Sequence, residues 1–279
     1  LNDPISWSGI LPPYPHNPDT TKSQEIYYDV YGKGSAVLMI HGFAVRGDMF
    51  NPILRHYLDD FRVVLPDLRG FARSSHVRGP IAIRDHAADM VRLLDKLDIA
   101  QAHIIGYSMG GLVAQQLAIE YPDRVKALVL GCSWSYKSQT PGEMMLEILT
   151  PIMFRGVGAQ RALDFVYDNV AQCMGLLKDP KLAAWYREAM TSTPDHRLAD
   201  GARELYHYDS RAKLRHIKAP ALVVAGDADQ VVPYYHAEHL ARMIRTSELH
   251  TFEGAGHGLI FSQPDRFAAI SKEFLQHHQ

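Results

Sequence analysis

Residues Gly106-Tyr107-Ser108-Met109-Gly110-Gly111 follow the apolar run Ala102-His103-Ile104-Ile105. A strand that ends in Gly-x-Ser-x-Gly and passes straight into a helix holds its serine on a tight, strained turn, with the hydroxyl exposed at the top of a sheet. Residues 112–119 are helix-forming and stop at Tyr121-Pro122, so the surroundings agree with that turn. A serine hydroxyl is scarcely ionised near neutral pH. Chemistry at Ser108 therefore needs a histidine base, a carboxylate to orient it, and donors for an oxyanion. The downstream chain offers both partners in the order this turn demands. Ala221-Leu222-Val223-Val224-Ala225 reads as a buried strand and leads into Gly226-Asp227-Ala228-Asp229-Gln230-Val231-Val232-Pro233. A carboxylate just beyond a strand's carboxyl end lies where open α/β sheets place their sites. Further on, Gly254-Ala255-Gly256-His257-Gly258 sets a histidine among glycines, where packing explains it poorly. Of fifteen histidines, His257 is the expected base. On these residues alone, either Asp227 or Asp229 can be the acid.

The elements that must hold these groups alternate strand and helix, which predicts an α/β fold: a mostly parallel sheet covered by helices on both faces. Strands are expected at 25–31, 37–40, 62–66, 102–106, 126–131, 221–225 and 248–253. Helical spacing of apolar residues marks 85–97, 233–245 and 264–276. From about 136 to 209 the strand-like runs stop, and helical segments rich in Met, Leu, Phe, Tyr and Trp take over. Residues 143–154 carry Met144, Met145, Leu146, Ile148, Leu149, Ile152, Met153 and Phe154. Inserted between the strand at 126–131 and the one leading to the aspartates, 136–209 reads as a helical cap over the serine. The expected division is an extension at 1–22, a core of 23–135 and 210–279, and that cap.

Composition narrows the partners. A chain of 279 residues can bury one large core with a smaller excursion. A net charge of −2 without long basic runs argues against a nucleic-acid partner. No apolar stretch approaches a membrane span. The two cysteines, Cys132 and Cys173, suggest no disulfide framework, no Cys/His spacing resembles a zinc site, and no cofactor is called for. Residues 1–20 are polar and proline-rich, unlike an intact signal peptide, which favours a cytoplasmic protein over a processed or secreted form.

Taken in order, His41-Gly42, Asp67-Leu68-Arg69-Gly70, Gly106 to Gly110, Gly226 to Pro233 and Gly256-His257 resemble the α/β-hydrolase fold superfamily across most of the chain. That resemblance implies an α/β-hydrolase fold and selects Asp229, which matches the family's Gly-x-x-Asp pattern, over Asp227. It implies an oxyanion hole made by the N–H groups of Phe43, in the His-Gly-x loop, and Met109, the residue after the nucleophile. His41 is read as a brace for its loop. In the family's Asp-x-x-Gly-x-Gly-x-Ser turn, matched at 67–74, Ala72 replaces the second glycine, and one backbone position must accept a side chain. Trp134, Met145, Leu149, Val231 and Leu259 are expected to contact substrate, whereas Arg155 and Arg161 are read as solvated.

The expected activity is a serine hydrolase cleaving a small or medium carboxylic ester or lactone through an acyl-enzyme, as in carboxylesterases and enol-lactone hydrolases. Cofactor-free haloperoxidase or perhydrolase relatives use the same triad and remain an alternative. Carbon–carbon bond hydrolases of the family commonly carry Trp after the histidine, where this chain has Gly258-Leu259, so they rank lower. An alternative of another class is a slow-turnover small-molecule receptor or signalling partner.

Overall fold

In the computed structural model the described residues are 25–158, 161–162 and 179–279. The extension expected at 1–22 and Cys173 lie outside them. Seven strands form one sheet: β1 (Tyr28–Tyr31), β2 (Ser35–Ile40), β3 (Phe61–Pro66), β4 (Ala102–Tyr107), β5 (Val125–Gly131), β6 (Ala221–Gly226) and β7 (Ser247–Phe252). Their order is β1-β3-β2-β4-β5-β6-β7, with β1 antiparallel to β3 and every other pair parallel. The apolar runs at 102–107 and 221–226 are buried at every position, as strands covered on both faces must be. β1 is shorter than expected, since residues 25–27 lead into it without strand pairing.

The helices are α1 (Asn51–Leu54), α2 (Ile83–Lys96), α3 (Met109–Glu120), α4 (Pro141–Val157), α5 (Pro180–Thr191), α6 (Asp195–His207), α7 (Tyr235–Met243), α8 (Leu259–Ser262) and α9 (Pro264–His277). α2 buries Ile83, His86, Ala87, Met90, Leu93 and Leu94, one stripe at helical spacing. α3 is apolar nearly all round and buries residues 109–118, so it sits inside the core. α4 starts on a capping box: the Thr140 hydroxyl accepts from the Glu143 N–H, and Glu143 reaches back to the Thr140 N–H.

The order of strand connection reverses at β2. From β2 the chain passes outward to β3 and returns to β4 on the other side, so the carboxyl ends of β2 and β4 meet at a switch point. Crevices of open α/β sheets form there. The loop after β2 holds His41 to Phe43, and the turn after β4 holds Ser108.

Candidate active site

Ser108 takes φ 54° and ψ −120°, a left-handed conformation costly for any residue with a side chain. The flanking glycines make it possible. A Cβ on Gly106 would stand 2.4 Å from the Gly110 carbonyl oxygen, and one on Gly110 would stand 2.0 Å from the Ile40 oxygen. Both are impossible distances, so β2, β4 and α3 can close around the turn only with glycine at 106 and 110. Strand and helix fix the rest: the Ser108 N–H donates to Gly131 O at 2.8 Å, and the Ser133 hydroxyl donates to Ser108 O at 3.0 Å.

The loops after β6 and β7 deliver the other two groups. His257 Nε2 lies 3.1 Å from Ser108 Oγ, and His257 Nδ1 lies 2.8 Å from Asp229 Oδ2. The second carboxylate oxygen, Oδ1, accepts the N–H groups of Val231 and Val232, both at 2.8 Å. Burial alone would raise the Asp229 carboxyl, but the adjacent imidazole and the two backbone donors outweigh it and hold the group below its ordinary value. An ionised Asp229 accepting at Oδ2 leaves the proton on His257 Nδ1 and a lone pair on Nε2 toward the serine. Asp227 instead turns to the surface, where its Oδ1 accepts the Gly254 N–H at 2.6 Å.

On the other side of the serine, Gly42 packs so closely that an added Cβ would lie 3.3 Å from Ser108 Cβ. The next residue is Phe43. Met109 opens α3, so its N–H belongs to the first turn, whose donors have no intrahelical acceptor. His41 is fully buried and bonded twice: its Nε2 accepts the Leu68 N–H at 2.9 Å, so its Nδ1 carries the proton given to Gly42 O at 2.7 Å. Burial pushes this imidazole below its ordinary value, which keeps it neutral and bracing. Asp67 plays a similar part, its carboxylate gripping Arg73 and the Gly47 N–H. Ala72 adopts φ 42°, and its N–H donates to Thr193 Oγ1 at 2.9 Å.

Helices from the 136–209 stretch lean on both flanks of this arrangement. Phe43 stacks on Phe154 of α4, and Gly201 of α6 lets that helix approach Phe43 and Phe71, where a Cβ would come within 3.0 Å of either ring. The Trp185 indole N–H of α5 donates to Asp48 at 3.0 Å, while its ring meets Phe261 just past His257. Arg46 pairs with both Asp48 and Glu188.

The remaining expected contacts are scattered. Trp134 is buried, its N–H donated to Leu205 O at 3.2 Å. Leu259 is wholly buried at the start of α8. Val231 is partly buried beside Asp229. Met145 and Leu149 are about half exposed on α4, and Arg155 and Arg161 are exposed. Sequence reasoning missed Lys137, whose ammonium donates to Val231 O at 2.8 Å over the Trp134 ring. Burial pushes it down to about 8. It also missed the neutral His236 imidazole, lowered by burial, which bonds Glu143 at 2.8 Å. Lys137 ties the segment before α4 to the loop after Asp229, and His236 ties α7 to the first turn of α4; neither has a signature in the local sequence.

The pattern of the α/β-hydrolase fold matches residues 35–264, spanning every element of this arrangement. The chain belongs to the α/β-hydrolase fold family. This α/β-hydrolase is 29% identical over 272 residues to 2-hydroxy-6-oxo-6-phenylhexa-2,4-dienoate hydrolase of Comamonas testosteroni, covering 90% of this chain and 91% of that one. A thermophilic esterase from Thermogutta terrifontis superposes with a TM-score of 0.80 at 27% identity, over 91% of this chain and 94% of that one. The enol-lactonase from Burkholderia xenovorans LB400 shares the fold, with a TM-score of 0.81 at 23% identity over 90% and 96% of the two chains. Fold and relatives together support a hydrolase. Among the described residues, no helix is long and apolar enough to cross a membrane.

Proposed function

We propose that this α/β-hydrolase cleaves a small or medium carboxylic ester or lactone through an acyl-enzyme formed on Ser108. The continuous chain from Ser108 Oγ through His257 to Asp229 carries the reading. His257 Nε2 takes the serine proton as Oγ attacks the acyl carbon. The N–H groups of Phe43 and Met109 receive the oxyanion, and the imidazolium returns its proton to the leaving alkoxide. Water, deprotonated by the same Nε2, then attacks the acyl-enzyme and releases the acid. Asp229 holds the imidazole tautomer throughout and offsets its positive charge.

In this reading α4 to α6 are a cap on a core of 23–135 and 210–279, and their contacts with Phe43, Phe71 and Phe261 support it. Phe43 and Val231, beside the oxyanion loop and the acid, are the side chains best placed to meet an acyl group. Similarity to the Thermogutta terrifontis esterase supports ester chemistry. Similarity to the Comamonas testosteroni enzyme favours a second reading, a carbon–carbon bond hydrolase using the same three residues. Turnover of p-nitrophenyl esters of rising chain length and simple lactones, assayed beside a vinylogous 1,5-diketone, tests the choice. Multiple turnovers on the esters or lactones, lost in Ser108→Ala, are the expected result. Cleavage of the diketone alone would favour the second reading, and a single turnover followed by a stall would oppose both.

A further inference from the structure

Tyr107 immediately precedes Ser108, yet its side chain serves the base rather than the nucleophile. The buried phenol donates to the main-chain oxygen of His257 at 2.5 Å and accepts the Leu259 N–H at 3.0 Å, so it grips the histidine loop on both sides of Gly258. Its ring meets the His257 imidazole edge to face, with centroids 5.9 Å apart, and meets Phe267 at 6.1 Å. Room for that ring is built in. A Cβ on Gly131, at the end of the neighbouring strand, would lie 2.7 Å from it.

A second group closes the cluster from beneath. Cys132 takes a left-handed φ of 47°, and its Sγ lies 3.3 Å from the phenolic oxygen. Cys132 Sγ, a carboxylate oxygen of Asp229 and a ring nitrogen of His257 all lie within 4.8 Å of one another. The phenol has one proton and gives it to His257 O, so the thiol proton is left to face the phenolic oxygen or the Asp229 carboxylate. Burial pushes both the phenol and the thiol well above their ordinary values, so both stay protonated as donors.

We propose that Tyr107 is a positioning residue for the general base: its hydroxyl, held between His257 O and Leu259 N–H, fixes where the imidazole stands relative to Ser108. The inference rests on the reading of Ser108, His257 and Asp229 as a hydrolytic triad. Removing the hydroxyl leaves a buried carbonyl and a buried N–H without their partner, and the loop must shift or take in water to satisfy them. Displacement of the imidazole by about 1 Å costs up to roughly a hundredfold in rate. The hydroxyl is buried and bonded on both sides to the main chain, so its loss acts on the base more than on binding.

The test is Tyr107→Phe in the full chain, which keeps the ring and deletes only the hydroxyl. We expect kcat on p-nitrophenyl butyrate to fall by about 10- to 100-fold with KM changed less than about threefold. The rate of fluorophosphonate labelling at Ser108 should fall by the same factor. A variant that melts at lower temperature but keeps the wild-type kcat and labelling rate would show a merely structural role and overturn the proposal. Should that variant fail to fold, hydrogen exchange in the wild-type protein decides. The Leu259 amide must be protected, and exchange at the rate of a free loop amide would overturn the proposal. The two readings fail separately. Wild-type protein inert to esters and fluorophosphonate refutes the triad, whereas an active wild type with an equally active Tyr107→Phe variant refutes only the role of Tyr107.

Discussion

Two buried histidines outside the triad should make the protein acid-sensitive, and one of them can be removed cleanly. His103 on β4 is fully buried against the edge of the Phe61 ring, and neither of its ring nitrogens has a hydrogen-bond partner among the described residues. Burial, reinforced by Lys126 and His278, pushes it down to about 4. Burial also pushes His86, on the inner face of α2, down to about 3. Both values lie below the 6.5 of an exposed imidazole, so the folded protein keeps these groups neutral while the unfolded chain takes up protons. Stability is therefore complete above about pH 6.5, is lost as pH falls below it, and levels off near each folded value. Between pH 7.5 and 4.5 each site spans about two pH units of unequal protonation, or about 2.5 kcal/mol, and the pair about 5 kcal/mol. That is a large share of the 5–15 kcal/mol typical of a folded domain. His103→Leu deletes one site and leaves an apolar group in an apolar place. Urea unfolding at pH 7.5 and 4.5 should show the variant gaining about 2.5 kcal/mol on the wild type at the lower pH. Carboxylates contribute equally to both proteins and cancel in that difference. Identical pH dependence of the two would refute the buried neutral imidazole.

Asp229→Asn should lower kcat by roughly four orders of magnitude, because the amide turns the imidazole to the wrong tautomer, whereas Asp227→Asn should stay within about threefold of wild type. Steady-state kinetics of the two variants separates the aspartates, and equal losses would contradict the assignment. Ala72→Gly should raise stability by up to about 1 kcal/mol, since alanine holds φ 42° at the cost of a left-handed conformation. Thermal unfolding checks this, and a clear loss of stability would mean the Ala72 methyl packs usefully.

Much of this arrangement was legible because its signals are local. The strands at 102–107 and 221–226 are buried on both faces and read as short, largely apolar runs that end in glycine-containing turns. The left-handed turn at Ser108 writes itself into the sequence as glycines at 106 and 110, because β2 and α3 leave no space for a Cβ. Ala72 was visible for the converse reason, a side chain where a glycine was expected, and it does take a positive φ. The bond from Tyr107 to His257 was not legible, since it joins residues 150 positions apart and tyrosine is equally at home as plain core in a buried strand. Lys137 and the His236–Glu143 pair were hidden likewise, each partner lying on a different loop or helix. Apolar side chains in 143–154 could be recognised as helical, but periodicity does not say which of two faces meets substrate.

The central claim is that Ser108 is made nucleophilic by His257. Labelling with a fluorophosphonate, followed by mass spectrometry of the peptides, tests it without choosing a substrate. The expected result is one adduct on Ser108, formed rapidly in the wild type and lost in both Ser108→Ala and His257→Ala. Labelling that falls elsewhere, or that persists undiminished on Ser108 without the histidine, would contradict it.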